Sequence, residues 1–212
     1  MASIVTQGII LKRHNFGEAD RIMTVLTDRL GKITVVARGV RKITSRRAGN
    51  VEILNYVRIG LFKGKGYTLT EAEAIETFPK IKENLTLSST AFHVIELADR
   101  LIVEEQSNPQ VFDLVLATLK ILEKNPRQLF IRAYEIKLMR LLGFLSADSL
   151  EGVEMSMGLL LQNLEDDSWA EISKLNITES EAEFLEQFMR MSIEKVLESK
   201  LKSTDVFRKM KS

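Results

Sequence analysis

The first 75 residues of the chain alternate between apolar and polar positions with the period of two that is typical of β-strands. Turn-forming residues separate the runs: Gly31 closes a turn at residues 28–31 and suits a positive φ, and Gly64 and Gly66 mark a second tight connection. The pattern therefore predicts five strands, at residues 4–11, 21–27, 32–38, 51–61 and 67–72.

The run at residues 51–61 has the clearest alternation. Val51, Val57, Ile59 and Leu61 fall on one face and Arg58 on the other. Five short antiparallel strands favour a small closed barrel, because closure removes the exposed edges that an open sheet would leave. The OB-fold is the commonest barrel of this kind, and we predict it for the N-terminal part of the chain.

From Phe78 onward the apolar residues recur with the helical period of 3.6. Asn108 and Asn125 are each followed by a proline, so each predicts an N-cap with proline at the first helical position. Gly143 is placed to end the second of these helices. Before them, an apolar stripe predicts a helix within residues 88–106, formed by Ala91, Val94, Ile95, Ala98, Leu101 and Ile102.

Two more helix starts are marked by capping residues. Asp167 or Ser168 can cap a short helix, and Thr178 with Glu181 has the spacing of a capping box. Residues 146–163 contain two glycines and receive no assignment. The predicted fold class is α+β, with a five-stranded OB-fold β-barrel at residues 1–77 and an all-α helical domain at residues 78–212.

The charges are distributed unevenly, although the net charge of the chain is +1. Residues 1–80 carry 14 Lys and Arg against 7 Asp and Glu, whereas residues 81–212 carry 16 against 22. No acidic residue lies between Asp28 and Glu52, a stretch that is rich in Arg and Lys. A surface of one sign is the electrostatic footprint expected for a phosphate backbone. Chance clustering of solvated charges is the alternative.

Several classes of function find little support in the sequence. Without cysteine the chain can form no disulfide, thiol nucleophile or thiolate metal site. His14 and His93 are far apart, and no nucleotide-binding P-loop pattern is present. We expect a protein that is not an enzyme and needs no cofactor. The N-terminus lacks signal-peptide features and no long apolar run occurs, so we expect a cytoplasmic location.

Single-stranded nucleic acid is held by a basic groove that follows the backbone and by aromatic faces on which bases stack. Phe16, Tyr56, Phe62 and Tyr67 are interleaved with basic residues in the predicted barrel. For Phe62 and Tyr67, a place in the barrel core is an equal alternative. The predicted DNA-binding residues are Lys12, Arg13, Phe16, Arg21, Lys32, Arg38, Arg41, Lys42, Arg46, Arg47, Lys63 and Lys65.

Several motifs taken together resemble the RecO family of bacterial DNA repair proteins. They lie at residues 8–13, 15–22, 30–32, 37–42, 67–72, 96–101, 108–109 and 142–144. The resemblance covers about residues 1–145 and is weak beyond them. It implies an N-terminal OB-fold, a helical domain, and a recombination mediator that binds single- and double-stranded DNA. It also implies strand annealing and, with RecR and single-strand-binding protein as partners, the loading of RecA recombinase.

The sequence departs from the family at one point. Many members carry a four-cysteine zinc site after the segment that corresponds to Gly143 and Phe144, and this chain has no cysteine. We therefore expect the family's zinc module to be absent. The main rival interpretation is an OB-fold protein that binds RNA or acts in translation, and a second rival is a structural adaptor that binds protein.

The family resemblance also implies a site for the acidic, phenylalanine-ending tail of single-strand-binding protein. Such a tail needs basic side chains beside an apolar slot. Arg132, Ile136 and Arg140 recur at a spacing of four and so share one helix face. We expect this face to bind the tail, with ordinary solvated arginines as the alternative.

Overall fold

The computed structural model describes residues 2–45, 47–146, 149 and 152–210, with the side chains of residues 3–45, 47–146, 149 and 152–198. The chain divides into two compact units, Met1–Pro126 and Arg127–Ser212. The first unit holds all five strands and three helices. Among the described residues, no helix is long and apolar enough to cross a membrane.

The strands close into a barrel in the order β1-β2-β3-β5-β4. β1 is long enough to pair with β4 through its first half and with β2 through its second half, and a bulge near Ile10 lets it bend between the two. β3 and β5 run parallel and share two paired positions, at Val35 and Val36. The five-stranded barrel is confirmed, with β1 Ala2–Phe16, β2 Asp20–Thr27, β3 Gly31–Ala37, β4 Tyr56–Lys63 and β5 Tyr67–Glu76.

The barrel core consists of the inward-facing residues of the strands. Successive side chains of a strand point to opposite faces, so one face of each strand lines the core and the other faces outward. Gly31 has a φ of +70°, as its place in the turn between β2 and β3 predicts. The core includes Met23, Val25, Ile33, Val35, Val57, Ile59, Leu61 and Leu69.

The predicted strand at residues 51–61 is wrong in its first half, because β4 begins at Tyr56. Residues 51–55 form turns, and Leu54 has a positive φ of 73°. The Asn55 side-chain amide donates hydrogen bonds to the carbonyl groups of Gly49 and Asn50 at 3.2 and 2.8 Å, which stabilises the turn. Val51 is nevertheless buried. Leu54, which the alternation placed on the opposite face, is buried as well, so the period of two fails here for burial as well as for backbone conformation.

Three helices complete the first unit: α1 Pro79–Glu83, α2 Leu85–Leu101 and α3 Pro109–Lys124. All six residues of the predicted apolar stripe at residues 91–102 are buried. Asn108 caps α3 as expected, since its side-chain oxygen accepts a hydrogen bond from the backbone N–H of Val111 at 3.2 Å. After α2 the chain returns to the barrel, where Glu104 forms an isolated parallel bridge with Lys32.

The second unit contains α4 Gln128–Leu141, α5 Met155–Asp166, α6 Trp169–Ile172 and α7 Glu179–Met210. The predicted N-cap at Asn125 is wrong: Asn125 ends α3, and α4 begins at Gln128 after Arg127. Arg127 instead donates through its guanidinium to the carbonyl groups of Ser173 and Leu175. α5 forms within the stretch that the sequence left unassigned.

The other helix boundaries agree with the capping residues. Ser168 forms a complete capping box with Glu171 at the start of α6. Thr178 and Glu181 form another at α7, with hydrogen bonds of 2.7 and 3.3 Å between them. Gly143 has a φ of +73° and follows Leu142, the residue that caps the end of α4. These signals are local, so they could be found without knowledge of the packing.

Candidate nucleic-acid interface

The basic loop, residues 38–47, is folded back onto the barrel. The backbone N–H of Gly39 donates to the Asp20 carboxylate at 2.7 Å, and the N–H of Arg41 donates to the carbonyl of Ala19 at 2.9 Å. Asp20 and Ala19 lie at the turn between β1 and β2. The backbone at Gly39 and Arg41 is therefore held against that turn.

Five of the predicted DNA-binding cations are exposed and form no ion pair with any described residue. Arg41 makes a single hydrogen bond, of 3.2 Å, to the carbonyl of Gly17. Cations with solvated, unpaired charges can exchange water for phosphate oxygens at little cost. We call this set the open cations: Lys12, Arg38, Arg41, Lys42 and Lys65.

Arg13 and Arg21 are bound to a carboxylate. Both contact Glu52, Arg13 at 2.5 Å and Arg21 at 3.3 Å, and both are half-buried. Nearby, burial lowers the pKa of Lys82, whose ammonium group donates to the side chain of Asn55. Glu52 is the first acidic residue after the basic stretch, and folding brings it to these two arginines. They are available to a phosphate only after leaving Glu52.

The prediction that Lys32 binds DNA is wrong. Its side chain is buried, with 7% of the residue exposed, and its ammonium group lies 3.4 Å from the Asp99 carboxylate. It also donates to the backbone carbonyl of Asp99. A buried charge has to be paired, and these contacts satisfy that need. Lys32 therefore fastens α2 to the barrel and does not belong to the interface.

Arg47 has a structural position as well. Its guanidinium donates to the carbonyl groups of Arg38, Leu69 and Thr70 at 2.9, 3.1 and 3.3 Å. These contacts join the end of β3 to β5, and they use donors that a phosphate would need. Arg46 lies outside the described residues.

The aromatic residues divide into exposed and buried ones. Phe16 is 55% exposed at the end of β1, and Phe62 is 37% exposed on β4, so both offer faces for stacking. Tyr56 and Tyr67 are buried in the barrel unit. The Tyr67 hydroxyl accepts a hydrogen bond of 2.7 Å from Lys63, which raises the pKa of that lysine.

Two open clefts meet at Arg38. The loop cleft, of 520 Å³, is lined by the basic loop, including Lys42 and Ser45. The hydroxyl oxygen of Ser45 is buried there and has no hydrogen-bond partner among the described residues. The seam cleft, of 490 Å³, lies where β3 meets β5 and is lined by residues that include Phe62 and Lys65.

Sequence reasoning missed part of the seam cleft. Glu104 and Glu105 line it, although the pattern placed them inside a helix. Glu105 has a positive φ of 56°, and its backbone N–H donates to the carbonyl of Lys32 at 2.8 Å. Nothing in the local sequence indicates that this segment returns to the barrel. The contact depends on pairing between residues about 70 positions apart, as the 3.5 Å hydrogen bond from Thr34 to Glu104 also illustrates.

The predicted tail site on α4 is wrong. Ile136 is fully buried, so it forms no exposed apolar slot. Arg132 contacts Glu135 at 2.7 Å, and Arg140 contacts Glu165 at 2.8 Å. The helix face that these residues share packs inside the second unit, which explains both the apolar residue and the paired arginines.

No group of three or more potential metal-ligating side chains comes together among the described residues. The barrel with its appended helices defines the chain as an OB-fold protein with a helical domain. The family model for the "Recombination protein O N terminal" domain matches residues 1–78, and the one for the "Recombination protein O C terminal" domain matches residues 82–147. The chain therefore belongs to the RecO family of DNA repair proteins.

Individual relatives agree with this assignment. Proteins named DNA repair protein RecO from Roseiflexus, Dehalococcoides mccartyi and Symbiobacterium thermophilum are 38%, 39% and 35% identical over 141, 141 and 148 residues. These matches cover 66%, 66% and 68% of this chain, and 50%, 56% and 58% of the relatives. The chain thus spans about half the length of the curated relatives it matches.

Proposed function

We propose that this protein is a recombinational DNA repair mediator that binds single- and double-stranded DNA and anneals complementary strands. The observation that carries the proposal is the set of open cations, exposed on one barrel unit beside the exposed faces of Phe16 and Phe62. This combination supplies the phosphate contacts and the stacking surfaces that single strands require. Membership of the RecO family supports the DNA repair role.

The mechanism of annealing would be electrostatic. Two strands repel each other through their phosphates, and cations that neutralise several phosphates reduce that repulsion. Contacts to the backbone leave the pairing edges of the bases free, so two strands held in this way can still find their register. This role needs no bond-making chemistry, and we propose that the protein is not an enzyme.

The partners that we propose follow from the family. They are RecR and the tail of single-strand-binding protein, with the RecA filament as the indirect product of the reaction. We expect the protein to act in the cytoplasm, where it would meet DNA, and to work without a zinc module or another cofactor. The tail of single-strand-binding protein would bind at a surface other than the α4 face that contains Ile136.

A strand-annealing assay on the purified protein tests the proposal. Two complementary labelled oligonucleotides are mixed with and without protein, and duplex formation is followed by energy transfer at several salt concentrations. We expect acceleration that declines steeply with salt, because phosphate contacts release counterions. A protein that binds DNA but leaves the annealing rate unchanged would contradict the mediator role.

The same preparation separates the two rival functions. Tighter binding to structured RNA than to complementary DNA strands would favour the RNA-binding alternative. Affinity for DNA that vanishes at physiological salt would favour an adaptor that binds protein. A single titration series with DNA and RNA of matched sequence therefore decides among the three functions.

A further inference from the structure

The seam cleft has features that a site for phosphate groups alone would not need. Its volume of 490 Å³ falls within the range of about 300–1,000 Å³ that is usual for sites of small ligands. Phe62, which is 37% exposed, lines it together with Thr34 and Thr68. A flat basic surface would be enough to hold a backbone, so the cleft has room for another part of a nucleotide.

The charges of the cleft are mixed. Arg38 and Lys65 line it together with Glu104 and Glu105. Carboxylates repel phosphates, so a site for backbone alone would gain nothing from them. Both glutamates are exposed, and their side chains make long contacts: Thr34 lies 3.5 Å from Glu104, and the Lys63 ammonium lies 3.9 Å from Glu105. Most of their acceptor capacity is therefore open to a ligand.

The backbone that carries these two carboxylates is held against the barrel. Glu104 pairs with Lys32 on β3, and the N–H of Glu105 donates to the carbonyl of the same lysine. The positive φ of Glu105 is uncommon for a residue with a side chain. The barrel, by pairing with this segment, keeps two residues with acceptor side chains in the cleft that Phe62 also lines.

A nucleobase matches this arrangement. Its flat face stacks on an aromatic ring, and its amino groups donate hydrogen bonds to carboxylates. Guanine presents two adjacent N–H groups on its pairing edge, which suit the two oxygens of one carboxylate. Thymine presents one N–H between two carbonyl oxygens, and a carboxylate would repel those oxygens.

We propose that the seam cleft binds one unpaired base of a DNA strand, stacked on Phe62, and that Glu104 and Glu105 make the cleft favour guanine over thymine. The phosphate of that nucleotide would lie in the loop cleft, which Arg38 shares. The Ser45 hydroxyl, buried without a partner among the described residues, offers a donor there. This inference rests on the proposed binding of DNA and adds a base preference to it.

The test uses the full chain and three single-stranded oligonucleotides. One contains thymine throughout, and the other two carry guanine or hypoxanthine, which lacks the amino group, at the central position. We expect the guanine strand to bind at least about fivefold more tightly than the thymine strand. This factor is the lower end of the discrimination that one bidentate contact to a base provides. The hypoxanthine strand should lie between them.

Two variants locate the preference. In Glu104→Gln/Glu105→Gln the guanine preference should disappear, while the thymine strand binds as tightly as before or more tightly. The control, Glu71→Gln/Glu73→Gln on β5, removes the same charge from exposed residues outside the cleft and should keep the preference. Phe62→Leu should weaken the binding of all three strands, because every base has a flat face that can stack on the ring. Thermal unfolding checks that each variant is folded.

The outcomes distinguish this inference from the proposed function. Binding of the thymine strand without any preference for guanine would overturn the inference and leave the proposed function standing. A preference that survives in Glu104→Gln/Glu105→Gln would also overturn it. If no strand binds, the proposed function fails and the inference fails with it.

Discussion

The guanidinium of Arg47 donates a hydrogen bond of 3.1 Å to the carbonyl oxygen of Leu69, at the place where the barrel closes. β3 and β5 share paired positions at Val35 and Val36, and this is a short ladder for the closing pair of a barrel. Arg47 adds a second link through the carbonyl of Arg38 at 2.9 Å. One side chain from the basic loop thus supplies hydrogen bonds that a longer ladder would have made.

We therefore predict that Arg47→Ala lowers the free energy of unfolding by about 1–2 kcal/mol. Hydrogen bonds from a charged donor contribute more to stability than neutral ones, and solvent screening reduces this contribution because Arg47 is half-buried. Urea unfolding of the full chain measures this change. Lys42→Ala in the same loop is the control and should stay within about 0.5 kcal/mol of the wild type. Equal stability of the two variants would mean that Arg47 does not stabilise the closure of the barrel.

The open cations predict the response of DNA binding to charge reversal. Arg38→Glu/Arg41→Glu/Lys42→Glu should abolish DNA binding at physiological salt and leave the fold intact, because none of these side chains is buried. Each single reversal should reduce the magnitude of the slope of log affinity against log salt concentration by about 0.7 to 0.9, because one phosphate contact is lost. Fluorescence anisotropy across a salt series measures both quantities.

A matched triple variant controls for net charge. Lys80, Lys124 and Arg190 are exposed on helices, so reversing all three changes the charge of the protein by the same amount. We expect this control to retain most of its affinity. An equal loss in both triple variants would mean that binding follows total charge and not the basic loop.

Glu52 holds Arg13 and Arg21 away from a ligand, so its removal should strengthen DNA binding. In Glu52→Gln both arginines lose their ionic partner, and each can add a phosphate contact that raises the magnitude of the salt slope by about 0.7 to 0.9. The same anisotropy series measures the change, with Glu73→Gln as a control of equal charge. A slope equal to that of the wild type would place both arginines outside the DNA path.

The ion pair between Arg132 and Glu135 should stabilise the second unit. Glu135 is buried, and the Arg132 contact of 2.7 Å helps to satisfy its charge. Arg132→Ala should destabilise the protein by about 1–3 kcal/mol, because a buried carboxylate loses a charged partner. In urea unfolding, Glu135→Gln should offset part of the loss when it is added to Arg132→Ala, whereas Arg190→Ala, an exposed change, should have little effect.

We also predict that the folded protein holds no stoichiometric zinc. The chain has no cysteine and two histidines, which is a poor supply of ligands for a tetrahedral site. Elemental analysis after dialysis should find far less than one zinc per chain, and chelators should leave the thermal midpoint unchanged. One zinc per chain retained after dialysis would contradict the prediction.

Local signals in the sequence determined much of the architecture. The period of two and its change to 3.6 predicted the barrel and the helical part, and Asn108, Ser168, Thr178 and Gly143 marked helix ends correctly. Each of these signals acts between residues a few positions apart. They failed where a distant contact decided the conformation. Before β4, the backbone N–H of Leu54 donates to the carbonyl of Ile10 at 2.9 Å, and the carbonyl of Asn55 accepts from the N–H of Ile10 at 3.1 Å.

The sequence by itself also determined that this chain carries a basic N-terminal region and belongs with DNA repair proteins. Tertiary structure alone decided which cations are available. Lys32 meets Asp99, Arg13 meets Glu52, and the donors of Arg47 meet β5. A side chain's charge is set by its residue type, but its availability depends on which carboxylates and carbonyl groups folding brings within hydrogen-bond distance. Those partners lie 67, 39 and 22 positions away for Lys32, Arg13 and Arg47, beyond the reach of any local pattern.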